Sequence, residues 1–389
     1  MKENPIYKLS DMTLYFLKLG TLGFGGPVAL VGYMYTDLVE KKAWVTEEEY
    51  KEGLALAQLA PGPLAAQLGI YMGFVHYGLI GATLVGLAFV LPSFMMVVLL
   101  GMAYKLYSGL PGIQAVFYGV SAAVIGIIAI SAYKLTIKSV SNLDLSAIRS
   151  KWLLWVFYLL GVVATVITKR EDILLFVGCG IVYMLVKAPS KWIKRPTTAP
   201  SVLLLGVGFW HYDGKVLRDI GWFFLKAGAF VFGSGLAIVP FLHGGVVQEF
   251  GWLTENEFLD AVAVAMVTPG PVVITVGFIG YLVAGFPGAC VAALATFLPC
   301  YLFTVALAPS FKKIAKNTSM KAFVDGITAV VIGSLVGAVI IIAERPIVDL
   351  ATALIALLSA LALIYIRTIK EPQLILASAI IGILIKTLL

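Results

Sequence analysis

The segment Gln58-Leu59-Ala60-Pro61-Gly62-Pro63 interrupts a long apolar stretch, and its last three residues recur 208 positions later as Pro269-Gly270-Pro271. Proline disfavours the helical conformation in the residue before it and lacks an amide donor, but it suits the first turn of a new helix. Each copy therefore predicts the end of one helix and the start of another. Broken helices at matching positions of two halves are typical of binding sites inside membrane transporters.

The residues around the two tripeptides also match, which indicates a tandem duplication. The matching positions include Phe16-Leu17-Lys18 with Phe224-Leu225-Lys226, Phe24-Gly25 with Phe232-Gly233, Trp44 with Trp252, Thr46-Glu47 with Thr254-Glu255 and, after a shift of one residue, Pro92 with Pro299. The sequence predicts an N-terminal repeat over 1–187, a basic cytoplasmic linker over 188–200 and a C-terminal repeat over 201–389.

The composition indicates a polytopic membrane protein. Hydrophobic residues make up 60% of the chain and charged residues 13%, and the mean hydropathy is +0.99. The charged share is about half that of a typical soluble domain. The net charge of +7 comes from lysines and arginines scattered over short loops, so the expected partner is the lipid bilayer and not nucleic acid. The three cysteines and three histidines do not cluster, so we expect no metal or other cofactor.

The loops predict that the two repeats are inverted. Lys41-Lys42 precede Trp44, whereas the corresponding residues before Trp252 include no base. The bias reverses near 104–112, whose counterpart is rich in lysine. Basic loops stay in the cytoplasm, so matching loops prefer opposite sides. The predicted fold is all-α, with two inverted repeats, each of about five full spans plus a broken or re-entrant helical hairpin.

A helix that begins at such a break offers unpaired amide donors and a partial positive charge, which suit an anion. Polar side chains and glycines near the breaks could complete the site, and Lys18 and Lys226 could balance a dianion. The predicted substrate-binding residues are Lys18, Gly25, Gly26, Pro27, Gln58, Pro61, Gly62, Pro63, Leu64, Ala65, Gln67, Lys226, Gly233, Ser234, Gly235, Thr268, Pro269, Gly270, Pro271, Val272 and Thr275.

Structural explanations exist for each of these features. A Pro-Gly-Pro can be a simple kink, glycines can serve close helix packing, and lysines can extend to the membrane interface. Asp325 aligns with Tyr118 and is a candidate for proton coupling or a helix-end charge. Motifs of nucleophilic, metal-dependent or phosphate-binding enzymes are missing from the sequence, so we expect no enzyme activity.

The chain resembles the chromate ion transporter family over nearly its whole length. The resemblance is carried by Phe16-Leu17-Lys18-Leu19-Gly20, Phe24-Gly25-Gly26-Pro27-Val28-Ala29, Gly32-Tyr33, Trp44, Tyr50, Gln58–Pro63, Phe232-Gly233, Val239-Pro240, Gly251-Trp252 and Pro269-Gly270-Pro271. Two positions depart from the family pattern, since Leu30 and Leu236 stand where the family often has histidine.

The resemblance implies a secondary transporter of a tetrahedral oxyanion in the plasma membrane. It implies chromate efflux, with sulfate as the analogue, driven by the membrane potential or a proton gradient. An anion channel or a sulfate transporter on the same fold is the alternative, and a membrane-embedded enzyme or scaffold fits the residues less well. Association into a homodimer stays open.

Overall fold

The computed structural model describes residues 7–24, 26–141, 144–169, 172–188, 214–230, 235–311, 317–343, 346–366 and 369–388. All regular secondary structure in these ranges is helical. Within them, the long helical stretches 64–107, 111–139, 272–307 and 318–343 are apolar enough to cross a membrane, and shorter apolar helices cover 152–168, 173–187 and 350–365. The predicted all-α membrane class is confirmed.

The helices of the first half follow one another along the chain with short connections. They are α1 (Leu9–Leu22), α2 (Gly26–Met34), α3 (Glu47–Leu59), α4 (Leu64–Tyr107), α5 (Pro111–Ser139), α6 (Leu145–Ser150), α7 (Trp152–Thr168) and α8 (Ile173–Lys187). A π-helical segment, Tyr35–Lys41, continues α2.

The second half repeats this order. Its α-helices are α9 (Gly214–Ala229), α10 (Val239–His243), α11 (Glu255–Val267), α12 (Thr275–Leu307), α13 (Thr318–Ala343), α14 (Leu350–Tyr365) and α15 (Glu371–Leu388). A π-helical segment follows α10 at Gly244–Glu249, and short 3₁₀ turns cover Gly235–Ile238, Val272–Ile274 and Ala308–Ser310. The two π-helical segments occupy corresponding positions, so the duplication extends to local backbone geometry.

Helix α4 folds back on itself at Gly78. The backbone there has φ 62° and ψ −150°, which is outside the helical region. A Cβ atom added to Gly73 would lie 2.4 Å from the carbonyl oxygen of Gly81. Eight residues of continuous helix would separate these positions by about 12 Å, so the arms 64–77 and 79–107 lie side by side. Helix α12 turns in the same way at Gly285.

Helix α3 and the first arm of α4 form a hairpin around the first Pro-Gly-Pro. Gly53 packs against the ring of Tyr71, and Tyr71 Oη donates to Glu52 Oε2 at 3.3 Å. At the other end, His76 Nε2 lies 3.8 Å from Glu49 Oε2. Each arm is about 20 Å long, less than the ~30 Å of bilayer hydrocarbon. The chain therefore enters and leaves on one side, as a re-entrant hairpin requires.

The first apolar segment of the first half is also a hairpin. Tyr15 Oη of α1 donates to Asp37 Oδ2 of the π-helical segment after α2, at 3.4 Å. The ring of Tyr7, before α1, stacks on Trp44 with the centroids 4.5 Å apart. The break predicted at the glycines therefore forms the tip of this hairpin, and Pro27 lies in the first turn of α2.

Equivalent helix arms of the two halves run in opposite directions. Thr83 Oγ1, near the start of the second arm of α4, lies 2.8 Å from Tyr301 Oη, near the end of the second arm of α12. Further along, the rings of Phe94 and Phe286 lie 6.3 Å apart. A two-fold axis that reverses these arms is perpendicular to them and hence lies in the membrane plane. The repeats are inverted, as the loop charges predict.

Helices of each half also pack against helices of the other half. Helix α5 of the first half packs between α14 and α15 of the second, and α13 packs on α7 and α8. Small residues allow the contact, since a Cβ added to Gly126 would meet the carbonyl of Ala356 at 2.3 Å, and one added to Gly333 would meet that of Tyr158 at 2.0 Å. The division at 187 and 201 stays a prediction about sequence repeats, because the linker from 189 onward lies outside the described residues.

Candidate functional site

The first Pro-Gly-Pro forms a buried hairpin tip. The α3 helix ends at Leu59, the following Ala60 has an extended backbone, and Gly62 has φ 142°. Pro63 is the N-cap of α4, whose first intrahelical hydrogen bond runs from the Gln67 N–H to the Pro63 carbonyl at 3.0 Å. The amides of residues 64–66 precede that bond and have no partner within the helix. Because these residues are buried, the tip has the donors of an anion site away from water.

The Gln67 side chain supports this tip. It is fully buried, and its Nε2 donates to the carbonyls of Pro61 at 2.8 Å and Ala60 at 3.3 Å. Its Oε1 is buried without a hydrogen-bond partner among the described residues. The Gln67 amide group therefore donates to the backbone of the break in this structure, whereas the sequence predicts that it donates to an anion.

The second Pro-Gly-Pro differs from the first at its helix start. Gly270 has φ 97°, and residues 272–274 form a 3₁₀ turn in which the Ile274 N–H donates to the Pro271 carbonyl at 2.9 Å. The tighter turn therefore pairs the Ile274 amide, which an α-helical start would leave unpaired. The amides of Val272 and Val273 precede the first bond of this turn.

The two threonines near the second tip also bond to their own helices. Thr268 Oγ1 donates to the Val264 carbonyl and Thr275 Oγ1 donates to the Val272 carbonyl, both at 2.7 Å. Both side chains are buried. They satisfy local backbone and leave the amides as the donors of the second tip.

Each tip is held by the opposite half of the protein. The Gly270 N–H donates to the Gly23 carbonyl at 2.9 Å, and a Cβ on Gly270 would lie 2.1 Å from Ser93 Oγ. A Cβ on Gly62 would lie 2.9 Å from the Cβ of Cys300. Ser93 and Cys300 occupy corresponding positions in the repeats, so each half contacts the tip of the other half through the same position. Neither residue is among the predicted site residues, although each directly follows one of the repeated prolines, Pro92 and Pro299.

The glycine segment of the first half connects α1 to α2. Gly26 has φ 69°. Gly235 packs against the second tip, since its Cβ would lie 3.3 Å from Val272 and 3.4 Å from Val273. The predicted residues Gly25, Gly233 and Ser234 lie outside the described residues.

The two lysines predicted to balance the anion have different surroundings. Lys18 is exposed, as is Gln58. Lys226 is half-buried, with its Nζ 5.8 Å from the centroid of the Trp222 ring. Lys226 also lines a cavity of about 350 Å³ together with Asp172 and Glu249, so acidic groups accompany its charge.

The chromate transporter family profile matches the chain twice, over residues 10–184 and 218–383. A chromate transport protein of Cupriavidus metallidurans is 59% identical over 394 residues, covering 99% of this chain and 95% of that protein. A probable chromate transport protein of Synechococcus elongatus is 56% identical, covering 98% and 96%. A chromate transport protein of Pseudomonas aeruginosa is 30% identical, covering 83% and 78%.

No solved structure shows significant similarity to the chain. The family profile falls once on each repeat and spans most of the chain, in agreement with the duplication. The family consists of membrane transporters and not of enzymes. This chain, a multi-pass membrane protein, belongs to the chromate transporter family.

Proposed function

We propose that this chain is a secondary transporter that exports chromate from the cytoplasm across the plasma membrane, with sulfate as a competing analogue. The driving force is the membrane potential or a proton gradient. Support for chromate comes from the family and from relatives that are named chromate transport proteins and align along nearly the full chain.

The observation that carries the proposal is the pair of buried helix starts at the inverted tips. Amides at a helix start carry roughly half a positive charge in sum, and burial without a partner is costly for them. A tetrahedral dianion with several acceptor oxygens would satisfy donors from both halves. In the proposed site, residues 64–66 and the Val272–Val273 pair contact the oxygens.

Lys18 and Lys226 supply the compensating charge in this proposal. Lys18 lies on α1 and Lys226 on α9, and the two correspond in the repeats. Lys226 shares its cavity with Asp172 and Glu249. In this proposal, the Lys226 ammonium group pairs with these acids when no anion is bound and with the anion when it is. The competing acids keep the anion from binding too tightly to be released.

Burial of both tips favours a transporter over a channel. Leu64, Ala65 and Ala66 are 7%, 3% and 1% exposed, so the described residues cover the first helix start on all sides. A channel needs a continuous aqueous path, whereas a transporter opens the site to one side at a time. We propose that the interlocked hairpins tilt around the tips to provide this alternating access.

The test is radiolabelled chromate uptake into proteoliposomes containing the purified full chain. The expected result is saturable uptake that responds to an imposed membrane potential or pH gradient and is inhibited by excess sulfate. Uptake that stays proportional to concentration and shows no counterflow would indicate a channel. Uptake equal to that of protein-free liposomes would contradict the proposal. Light scattering on the same material distinguishes a monomer from a homodimer.

A further inference from the structure

We infer that Asp260 is the proton-binding residue of this transporter, and that its protonation is linked to anion binding at the second tip; the inference rests on the proposed function. Asp260 lies in α11, the arm that leads to Pro269-Gly270-Pro271, and is 5% exposed. Asp260 is not among the sequence-predicted site residues, because a single aspartate in an apolar segment forms no recognisable motif.

The Asp260 carboxylate is held by two hydroxyl groups of the opposite half. Tyr104 Oη of α4 donates to Oδ2 at 2.7 Å, and Ser121 Oγ of α5 donates to Oδ1 at 3.2 Å. Both donors are neutral. They orient the carboxyl group in either protonation state, since a hydroxyl can donate to a carboxylate and accept from a carboxylic acid.

Within the described residues, Asp260 has no cationic partner. The charged or titratable groups on the elements around it are otherwise engaged. The two lysines lie over aromatic rings: Lys105 of α4 over Tyr281 of α12, and Lys386 of α15 over Tyr118 of α5. Tyr118 also donates a hydrogen bond to Asp349. On α11, Glu255 pairs with His243 and Gln248, and Glu257 accepts a hydrogen bond from the Thr254 N–H. A buried carboxylate without a counter-charge is costly at membrane depth, and binding a proton removes that cost.

Two other acidic residues lack this combination. Glu52, at the corresponding position of the first half, is less buried and accepts its hydrogen bond from Tyr71 of its own hairpin. Asp325 is half-buried, and two lysines, Lys321 and Lys151, offset part of the cost of burying its charge. Among these three, Asp260 is the acid best suited to exchange a proton.

The sign of the linkage follows from charge. Asp260 and Thr268 are eight residues apart on one helix, about 12 Å. A carboxylate and a dianion at that distance in a poorly polarisable interior repel each other. Protonation, in which the carboxylate takes up one proton and becomes a neutral acid, removes the repulsion. Because linkage is reciprocal, anion binding also favours proton uptake. The proton and the anion therefore move in the same direction. Export of one chromate with one proton carries one net negative charge outward, so the membrane potential, and not an inward proton gradient, drives it.

The experiment measures proton movement that accompanies chromate uptake. Proteoliposomes with the potential clamped by potassium and valinomycin contain a pH-sensitive dye, and the medium is alkaline enough to keep chromate a dianion. For the unaltered protein, a chromate gradient is expected to acidify the lumen. For Asp260→Asn, chromate uptake persists and the acidification is lost. Asp349→Asn is the matched control, because Asp349 also accepts a tyrosine hydrogen bond but is exposed, and that bond lowers its pKa.

A second variant guards against a purely structural effect. Tyr104→Phe removes a hydrogen bond that favours the charged carboxylate, so the midpoint of the pH profile of transport should shift to higher pH. Chromate uptake without acidification in the unaltered protein, or unchanged acidification in Asp260→Asn, would overturn the inference while leaving the proposed function intact.

If the unaltered protein takes up no chromate, the proposed function fails and infrared spectroscopy decides on Asp260. The expected signal is the carbonyl band of a protonated carboxyl group that titrates in the unaltered protein and is missing from Asp260→Asn. Identical spectra of the two proteins would refute the assignment.

Discussion

The backbone N–H of Gly270 lies 2.9 Å from the carbonyl oxygen of Gly23 and donates a hydrogen bond to it. Gly270 is the tip of a hairpin in the second half, and Gly23 follows the first helix of the first half. The bond therefore fastens the break of one repeat to the other repeat. It also removes the Gly270 amide from the set of donors available to an anion.

Replacing Gly270 by alanine tests this fastening. With φ at 97° and a new Cβ 2.1 Å from Ser93 Oγ, Gly270→Ala should cost about 1–3 kcal/mol of stability from backbone strain alone. The measurement is the thermal unfolding temperature in detergent. Gly178→Ala is the control, because a Cβ there meets nothing within 4 Å, and its effect should stay within about 0.5 kcal/mol. Equal effects of the two would speak against the interlocked tips.

Gln67→Glu tests whether the first tip binds the anion. The carboxylate cannot donate to the carbonyls of Pro61 and Ala60 and places a negative charge beside residues 64–66. We expect chromate uptake to fall by about tenfold or more, equivalent to at least 1.4 kcal/mol. Gln58→Glu, on the exposed side of α3, should retain uptake. Uptake by Gln67→Glu at the level of Gln58→Glu would exclude an anion at this tip.

The His243–Glu255 pair is predicted to stabilise the base of the second half. The imidazole is 2% exposed, and its Nε2 lies 2.6 Å from Glu255 Oε2. His243→Ala leaves Glu255 Oε2 without its partner, while Gln248 still donates to Oε1, so the loss should be about 2–4 kcal/mol. Glu47 is the counterpart of Glu255, but its pair with Lys51 is exposed, and Glu47→Gln should cost at most about 1 kcal/mol. The unfolding temperatures would disprove this if the order were reversed.

The double variant Lys18→Met, Lys226→Met tests the proposed charge balance. Without either ammonium group, a dianion would face only amide dipoles, and uptake should fall by about tenfold or more. Lys18→Arg with Lys226→Arg keeps both charges and should preserve most of the rate. If the methionine variant took up chromate at the unaltered rate, both lysines would have to be removed from the mechanism.

Much of the local fold follows from short patterns. Thr46 and Glu49, like Thr254 and Glu257, form capping boxes at the helix starts. Capping needs only residues three positions apart, so sequence predicts it well.

The arrangement of the halves could not be predicted in the same way. Small residues such as Gly126 and Gly333 indicate close helix packing, but they do not identify the partner helix. The exchange of α14 and α15 onto α5 depends on tertiary contacts between distant segments. The 3₁₀ start at Val272–Ile274 also escaped prediction, because both tips share the same tripeptide and differ only in the turn that follows it.

A shared anion site requires that the two tips enter the membrane from opposite faces. Glu48 and Asn256 occupy corresponding exposed positions at the bases of the two hairpins, which makes them a matched pair. In a background with Cys179, Cys290 and Cys300 replaced by alanine, each is changed to cysteine and treated with a membrane-impermeant maleimide in intact cells and in inverted vesicles. We predict that Glu48→Cys reacts only in inverted vesicles, since Lys41 and Lys42 mark its base as cytoplasmic, and that Asn256→Cys reacts only in intact cells. Labelling of both from the same face would contradict the inverted pair of tips and, with it, the shared anion site.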